Sequence, residues 1–458
     1  MDLHLDLAAA PGRSLRQRAE NALRDAIRRG ALPPDTRLPS TRDLSAQLGV
    51  SRGVLVDAYA QLAAEGYLRT RRGAGTTVAA GIGPALPPVL SCPGAPAVRY
   101  DLRPAVPALS AFPRAAWLAS LSRVLRRVPD RRLGDEEPGG AQGLREVLAA
   151  YLGRVRAVEA SPERILVTSG LRHGLGVLWP VLRARGVDAV AVEDPRWRGV
   201  DDSLLAAGLG AIPVPVDGDG LRTELLDGIR AGAVVVTPAH QYPTGVVLGA
   251  ARRTALIAWA RERGAIVVED DYDAEFRYDR APVGSLQGTA PDHVLYGGSA
   301  SKILAPVMRL GWLVAPVGLV EELGARQALA GGVPSTLSQL ALADLIERGE
   351  LDRHLRRQRR RYRAQRDALL EAAAELLPEL QPEGAAAGLH VMLRLPAGGD
   401  AAAVAQAAAR AGVAVDPLEG PRPALLVGYA NVPAESVRPA LAALAGALRG
   451  HTRSRGRS

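Results

Sequence analysis

Lys302 is the only lysine in this chain of 458 residues; of its 57 lysines and arginines, 56 are arginine. It stands in the stretch "GGSASKILAPVMRLGW". A lysine amine can lose its proton in the right surroundings and attack an aldehyde to form a Schiff base, which a guanidinium cannot do. The bland alternative is composition: a chain rich in Ala, Arg and Gly depletes lysine, and one can survive anywhere. The surrounding residue types weigh against that alternative. Ser299 and Ser301 stand just before the lysine, and Arg309 follows seven residues later, past Pro306. Hydroxyls and a cation suit a phosphate. The run "VVEDDYDAEF" supplies Asp270, Asp271 and Tyr272. A carboxylate there could keep a pyridine nitrogen protonated, or the aspartate pair could hold a metal ion. "VTSGLRHG" places Ser169 and Gly170 where backbone amides can also receive phosphate. "VEDPRWRG" offers Trp197 as a flat surface for a ring. Each signal is weak alone; together, and in this order, they meet the needs of a pyridoxal 5'-phosphate site.

These residues need a frame that brings them together. "RILVTSG", "DAVAVEDP", "AVVVTPAH" and "AIVVEDD" read as buried strands that each end in polar residues. Amphipathic helical stretches such as Thr254–Arg263 separate them. The alternation predicts an α/β fold with a mostly parallel sheet, whose ligand site lies at the carboxyl ends of its strands. "GLHVMLRL" and "ALLVGYANV" predict strands of a smaller C-terminal α/β subdomain. Leu351–Leu377 reads as a long basic helix, taken as a solvated face packed on the large domain rather than a second DNA surface. Residues 81–99 are rich in Pro and Gly and read as a linker between a unit at 1–80 and a larger one at 100–449. The basic end, 450–458, is expected to be disordered.

The first 80 residues carry two helix starts in "LPSTRDLSAQLGVSRGVLVDAYAQLAAEGYLRT". Ser40 can cap a helix, with Asp43 at capping-box spacing, Gly49 suits the turn, and Ser51 can cap a second helix. Val54, Leu55, Ala58, Tyr59 and Leu62 give that second helix one apolar face. "YLRTRRGAGTTVA" then reads as a hairpin with a basic, Gly-rich tip. Helix, turn, helix and wing predict binding to double-stranded DNA. This unit holds 12 Arg against 8 Asp and Glu. Arg42, Arg52, Arg69, Arg71 and Arg72 fall where such a surface would be.

Composition fits this outline. Net charge is +9, which makes an anionic partner plausible. Cys92 is the sole cysteine, which excludes an internal disulfide and a cysteine-based metal site. The amino terminus lacks a basic n-region and a long apolar core, so a cytoplasmic protein without a membrane span is expected.

Ser14 to Ala79 resembles the winged helix-turn-helix of GntR-type bacterial regulators. That resemblance puts DNA contacts at Ser40, Thr41, Arg42, Ser51, Arg52 and the wing residues Gly73, Gly75 and Thr76; Gly53 joins Ser51 and Arg52 at the exposed start of the second helix, the end that usually meets base edges. From Tyr100 to Arg449 the chain resembles fold-type-I aminotransferases, through "TPAHQYPTG", "EDDYDAEF" and "SASKILAPVMRLGW". The combination resembles MocR-type regulators, and the resemblance implies roles. Lys302 would form the internal aldimine with the cofactor, and Asp270 would pair with the pyridine nitrogen. Tyr272 would face the phenolic oxygen, and Trp197 would stack on the ring. Arg309, Ser299, Ser301 and the Ser169–Gly170 turn would hold the phosphate. A homodimer is also implied. Two positions depart from the aminotransferase pattern. Tyr242 stands where an asparagine is common, and Leu426 and Val427 stand where a carboxylate-gripping arginine is sought. Arg422, Arg196 or Arg198 would have to substitute.

Three functions remain open on this reading. The first is a transcriptional regulator that senses pyridoxal phosphate or an amine effector through Lys302. The second is an active aminotransferase with a DNA-binding appendage. The third is a DNA-binding protein whose large domain only dimerises.

Overall fold

The computed structural model describes residues 3, 5–8, 10–71, 75–80, 98–134, 137–278, 283–384 and 387–455. The chain divides into two compact units, Met1–Ala95 and Pro96–Ser458. The linker expected at 81–99 lies outside the described residues except for its last two, 98 and 99.

The first unit contains α1 (Leu15–Arg28), α2 (Thr41–Leu48), α3 (Arg52–Ala64) and the hairpin β1 (Leu68–Arg71) and β2 (Gly75–Val78). Leu23, Ile27, Leu44, Leu55, Ala58, Tyr59 and Leu62 form its core. Four of the five residues expected on the inner face of α3 are buried, and Val54 packs at the margin. Gly49 ends α2 with φ +66°, a left-handed conformation that permits the tight turn into α3. The Tyr59 hydroxyl donates to the Pro39 carbonyl at 3.0 Å, tying α3 to the entry of α2.

The second unit is built on an eight-stranded sheet. Its strands are β3 (Ile165–Thr168), β4 (Ala189–Asp194), β5 (Gly210–Asp217), β6 (Gly220–Leu221), β7 (Ala233–Val236), β8 (Ile266–Asp270), β9 (Val294–Ser299) and β10 (Gly311–Val314). Their order is β3-β10-β9-β8-β7-β4-β5-β6. The neighbours from β9 to β5 are parallel. β10 runs against both β9 and β3, so β3 points the same way as β9. Alternate residues pack on opposite faces: Val268 joins one apolar cluster and Val267 another. A sheet covered on both faces needs continuous apolar runs, which is what the sequence shows. Helices α4 (Leu171–Ala184), α5 (Gly199–Ala206), α6 (Ala250–Arg263) and the one-turn α7 (Ala300–Ile303) follow β3, β4, β7 and β9.

The predicted basic helix is α8 (Glu350–Leu376). It buries Leu351, Leu355, Tyr362 and Leu369 and leaves Arg356, Arg357 and Arg360 exposed, the solvated-face arrangement. The smaller sheet contains β11 (Gln381–Glu383), β12 (His390–Arg394), β13 (Asp416–Leu418) and β14 (Ala424–Gly428), in the order β11-β12-β14-β13. The final helix, α9 (Ala434–Arg455), continues through residue 455. The backbone at 450–455 is therefore helical, against the expectation of a disordered tail. It propagates a helix whose earlier turns bury Val437, Leu441 and Leu444 in the core. Among the described residues no helix is long and apolar enough to cross a membrane.

Candidate functional site

The parallel strands end on one side of the sheet, and the chemistry-bearing residues gather there. Ser169–Gly170 follows β3, Trp197 follows β4, Asp270 ends β8, and Ser299 ends β9 just before α7, which carries Lys302. A cavity of about 460 Å³ opens between these ends. Gly170, Trp197, Asp270, Tyr272, Ser299, Ser301, Lys302 and Arg309 all line it. Ser169 is adjacent but is not part of the wall; its N–H donates to His173 Nδ1 at 3.0 Å.

The two neighbouring aspartates take different roles. Asp271 is buried and accepts from Arg156 Nε at 2.6 Å and from the Tyr296 hydroxyl at 2.6 Å. Arg156 comes from a helix 115 residues earlier, so local sequence gives no sign of this clamp. Asp270, by contrast, keeps a buried carboxylate oxygen with no hydrogen-bond partner. Burial, then Asp271 and Asp273, pushes its carboxyl up to about 8. A buried acceptor without a donor is costly, and a ring N–H would supply the donor. Lys302 lies in the same wall, and burial holds its ammonium below the usual lysine range despite the nearby Asp273 and Asp270. That moves it toward the neutral, nucleophilic amine. Among the described residues no group of three or more His, Cys, Asp or Glu could hold a metal ion.

Other residues of the same wall suit an anion. Gly170, at φ +97°, opens the 14-residue α4. Gly311 sits against it: a Cβ there would stand 2.7 Å from Gly170 Cα. Ser299 occupies the cap position of α7 without a side-chain cap bond, so its hydroxyl is not spent on the helix. Arg309 takes a left-handed backbone (φ +49°), an unfavourable geometry for a side-chain-bearing residue that tends to mark functional sites. Burial and the Arg309 charge hold His173 below the ordinary histidine range, which sets Arg309 close to the Ser169–His173 turn.

Several wall and supporting residues were not singled out from the sequence. The Arg172 guanidinium lies 4.8 Å from the centroid of the Trp197 ring. Glu193 accepts from the Thr237 hydroxyl at 2.6 Å and from Gln241 at 3.2 Å. The Tyr272 hydroxyl lies 2.8 Å from His240 Nδ1, which also meets Asp273. Glu193, His240 and Asp273 stand inside the quoted motifs, but their partners are more than 30 residues away in sequence. Tyr242 lines the cavity, its ring edge-on to Tyr272. Leu426 and Val427 are buried. Of the arginines considered as carboxylate grips, Arg422 pairs with Glu383 and Arg196 with Asp201, while Arg198 is exposed.

In the first unit, Ser40 accepts from the Asp43 N–H at 3.2 Å and donates to its carboxylate at 2.7 Å, completing the expected cap. Ser51 occupies the cap position of α3 but makes no cap bond with its side chain. Ser40, Arg42, Ser51, Arg52 and Gly53 are exposed, and Thr41 is half-buried. Among the described residues Arg42, Arg52, Arg69 and Arg71 form no ion pair. Gly75 and Thr76 open β2, where Arg71 pairs with Gly75 across the hairpin. Gly73 and Arg72, at the expected wing tip, lie outside the described residues.

Comparison with known proteins agrees with both halves. The profile of aminotransferase class I and II matches residues 131–444. The profile of bacterial regulatory proteins of the gntR family matches residues 15–78. The HTH-type pyridoxine biosynthesis transcriptional regulator PdxR of Corynebacterium glutamicum is 35% identical over 363 residues, 78% of each chain. MocR of Rhizobium meliloti, whose name assigns it to rhizopine catabolism, is 35% identical over 74% of this chain and 72% of its own.

The chain belongs to the MocR-type family of transcriptional regulators.

This MocR-type regulator joins a GntR helix-turn-helix unit to an aminotransferase-like domain of the pyridoxal-phosphate fold type I. The kynurenine aminotransferase of Pyrococcus horikoshii matches with TM-score 0.70 and 26% identity, over 78% of this chain and 91% of its own. The α-aminoadipate aminotransferase LysN of Thermus thermophilus matches with TM-score 0.69 and 27% identity, over 76% and 92%.

Proposed function

We propose that this regulator binds operator DNA through its winged helix and senses pyridoxal phosphate, or an amine that reacts with it, at Lys302. The observation that carries the reading is the pairing of the sole lysine with an Asp270 carboxylate oxygen that is buried and without a hydrogen-bond partner, in one cavity. When bound, the cofactor supplies an aldehyde carbon and a ring that draws electrons. Lys302 offers a largely desolvated amine to that aldehyde. Asp270 carries the proton that a pyridine nitrogen needs. Trp197 gives the ring a flat neighbour. Gly170, Ser299, Ser301 and Arg309 offer amides, hydroxyls and a cation to the phosphate. At the first unit, Arg42 and Arg52 supply charge at the starts of α2 and α3, and the uncapped Ser51 hydroxyl is available to a phosphate or base edge.

The protein acts as a cytoplasmic homodimer, so that two winged helices engage two half-sites. Apolar residues at Leu426 and Val427, with Arg422 and Arg196 already paired, leave little to grip an amino-acid carboxylate, which favours sensing over turnover. The test is footprinting of a labelled promoter fragment with and without pyridoxal phosphate. The cofactor is expected to change affinity or footprint in the wild type and to have no effect on Lys302→Ala. An identical footprint in both conditions would remove the sensing role and leave DNA binding alone.

A further inference from the structure

Behind Tyr272 lies a buried polar cluster that the cofactor contacts above do not use. His240 is 2% exposed and Asp273 is 1% exposed. His240 Nδ1 stands 3.0 and 3.2 Å from the two Asp273 carboxylate oxygens and 2.8 Å from the Tyr272 hydroxyl. His240 Nε2 is buried and has no partner. A proton on Nε2 would be stranded, whereas a proton on Nδ1 satisfies a buried carboxylate, so the partners assign it to Nδ1.

The imidazole has little room to turn. Gly388, at φ +82°, closes over it: a Cβ there would stand 2.2 Å from His240 Cε1 and 2.7 Å from Asp273 Oδ2. Tyr278 and Tyr429 hold that segment by donating to the Gly388 carbonyl at 2.6 and 2.7 Å. The ring centroid of His390, the first residue of β12, lies 5.8 Å from that of His240.

Hydrogen-bond direction follows from this arrangement. The one Nδ1–H is shared between the Asp273 carboxylate and the Tyr272 oxygen, and a phenol oxygen that accepts it keeps its own proton for another acceptor. Burial, then the Asp273 charge, with a side-chain hydrogen bond to Asp273 acting in the same direction, holds the Tyr272 phenol far above its ordinary range, so it remains protonated. Tyr272 also forms part of the Lys302 cavity wall. Tyr242, where an asparagine amide would be expected, brings no amide donor to that wall.

We propose that His240, fixed by Asp273, is a positioning residue that holds the Tyr272 hydroxyl as a hydrogen-bond donor toward an oxygen anion in the Lys302 cavity. The proposal rests on the cofactor reading and adds to it the source of Tyr272's orientation.

The test is a double-mutant cycle read by visible absorbance of the protein loaded with pyridoxal phosphate. A donor on the ring oxygen weakens that oxygen's pull on the neighbouring proton, so losing it raises the pH midpoint of the visible band. Tyr272→Phe is expected to raise the midpoint by roughly one pH unit, the size of one lost hydrogen bond to a charged group. His240→Ala is expected to raise it by at least half as much, and to add nothing in the Tyr272→Phe background. His240→Asn, which returns an N–H near the Nδ1 position, restores most of the wild-type midpoint. Asp273→Asn keeps the shape of the buried carboxylate and serves if His240→Ala does not fold; it too is expected to shift the midpoint only when Tyr272 is present. Additive shifts, or a wild-type midpoint in both His240→Ala and Asp273→Asn, would overturn the positioning role and leave the cofactor reading standing. A wild-type protein with no visible band would overturn both.

Discussion

Glu193 illustrates how strongly single residues feel this cavity. Burial pushes its carboxyl up to about 7, although Thr237 and Gln241 donate to it and pull the other way. A carboxyl raised above its ordinary 4.5 holds its proton more tightly in the folded state. Its contribution to stability is fully present below 4.5 and is lost as pH rises through 7. Replacing Glu193 by Gln removes that loss. Relative to wild type, Glu193→Gln is therefore expected to gain roughly 3 kcal/mol between pH 4 and pH 8, measured by urea unfolding of the cofactor-free protein at both values. A stability difference that does not vary with pH would refute the assignment. Burial acts the same way on Asp270, whose carboxyl is pushed up to about 8.

At the scale of elements, the site depends on close backbone approach. β10 passes the β3–α4 turn so tightly that a methyl on Gly311 would meet Gly170 Cα, Gly170 C and the Gly298 carbonyl. All three are backbone atoms, so nothing can rotate away. Gly311→Ala is expected to cost roughly 1–3 kcal/mol, seen as a lower urea midpoint, and to weaken cofactor retention by displacing the turn. Full retention of both would show that the turn has slack. The basic segments also differ by element. Arg42→Ala and Arg52→Ala should each weaken DNA binding and lower its salt slope by about one. The triple change of Arg356, Arg357 and Arg360 to Ala should leave that slope unaltered, because α8 uses its other face for packing. Much of this frame was legible in the sequence. Continuous apolar runs marked β3, β4, β7 and β8, because strands buried on both faces cannot alternate. The Ser40 cap and the Gly49 turn marked the helix-turn-helix. What could not be read were contacts made only by folding: the Arg156–Asp271–Tyr296 clamp and the His240–Asp273–Tyr272 cluster join segments that no local pattern connects. Over 450–455, part of the stretch expected to be a disordered tail, the composition is polar but the backbone continues a helix anchored upstream; 456–458 lie outside the described residues.

At the scale of the whole molecule, two compact units are joined in one chain. One exposes Arg42 and Arg52, which form no ion pair among the described residues, at the starts of its second and third helices, as binding to an anionic polymer requires. The other gathers polar residues at the ends of parallel strands around a single amine. A regulator needs both, since a ligand can alter DNA affinity only by favouring one arrangement of the chain over another. The most direct measurement is borohydride reduction of the protein after incubation with pyridoxal phosphate, followed by peptide mass mapping. The account predicts one stable adduct, on the peptide that contains Lys302, and none in Lys302→Ala. An unmodified Lys302 peptide, or an adduct confined to the amino terminus, would contradict it.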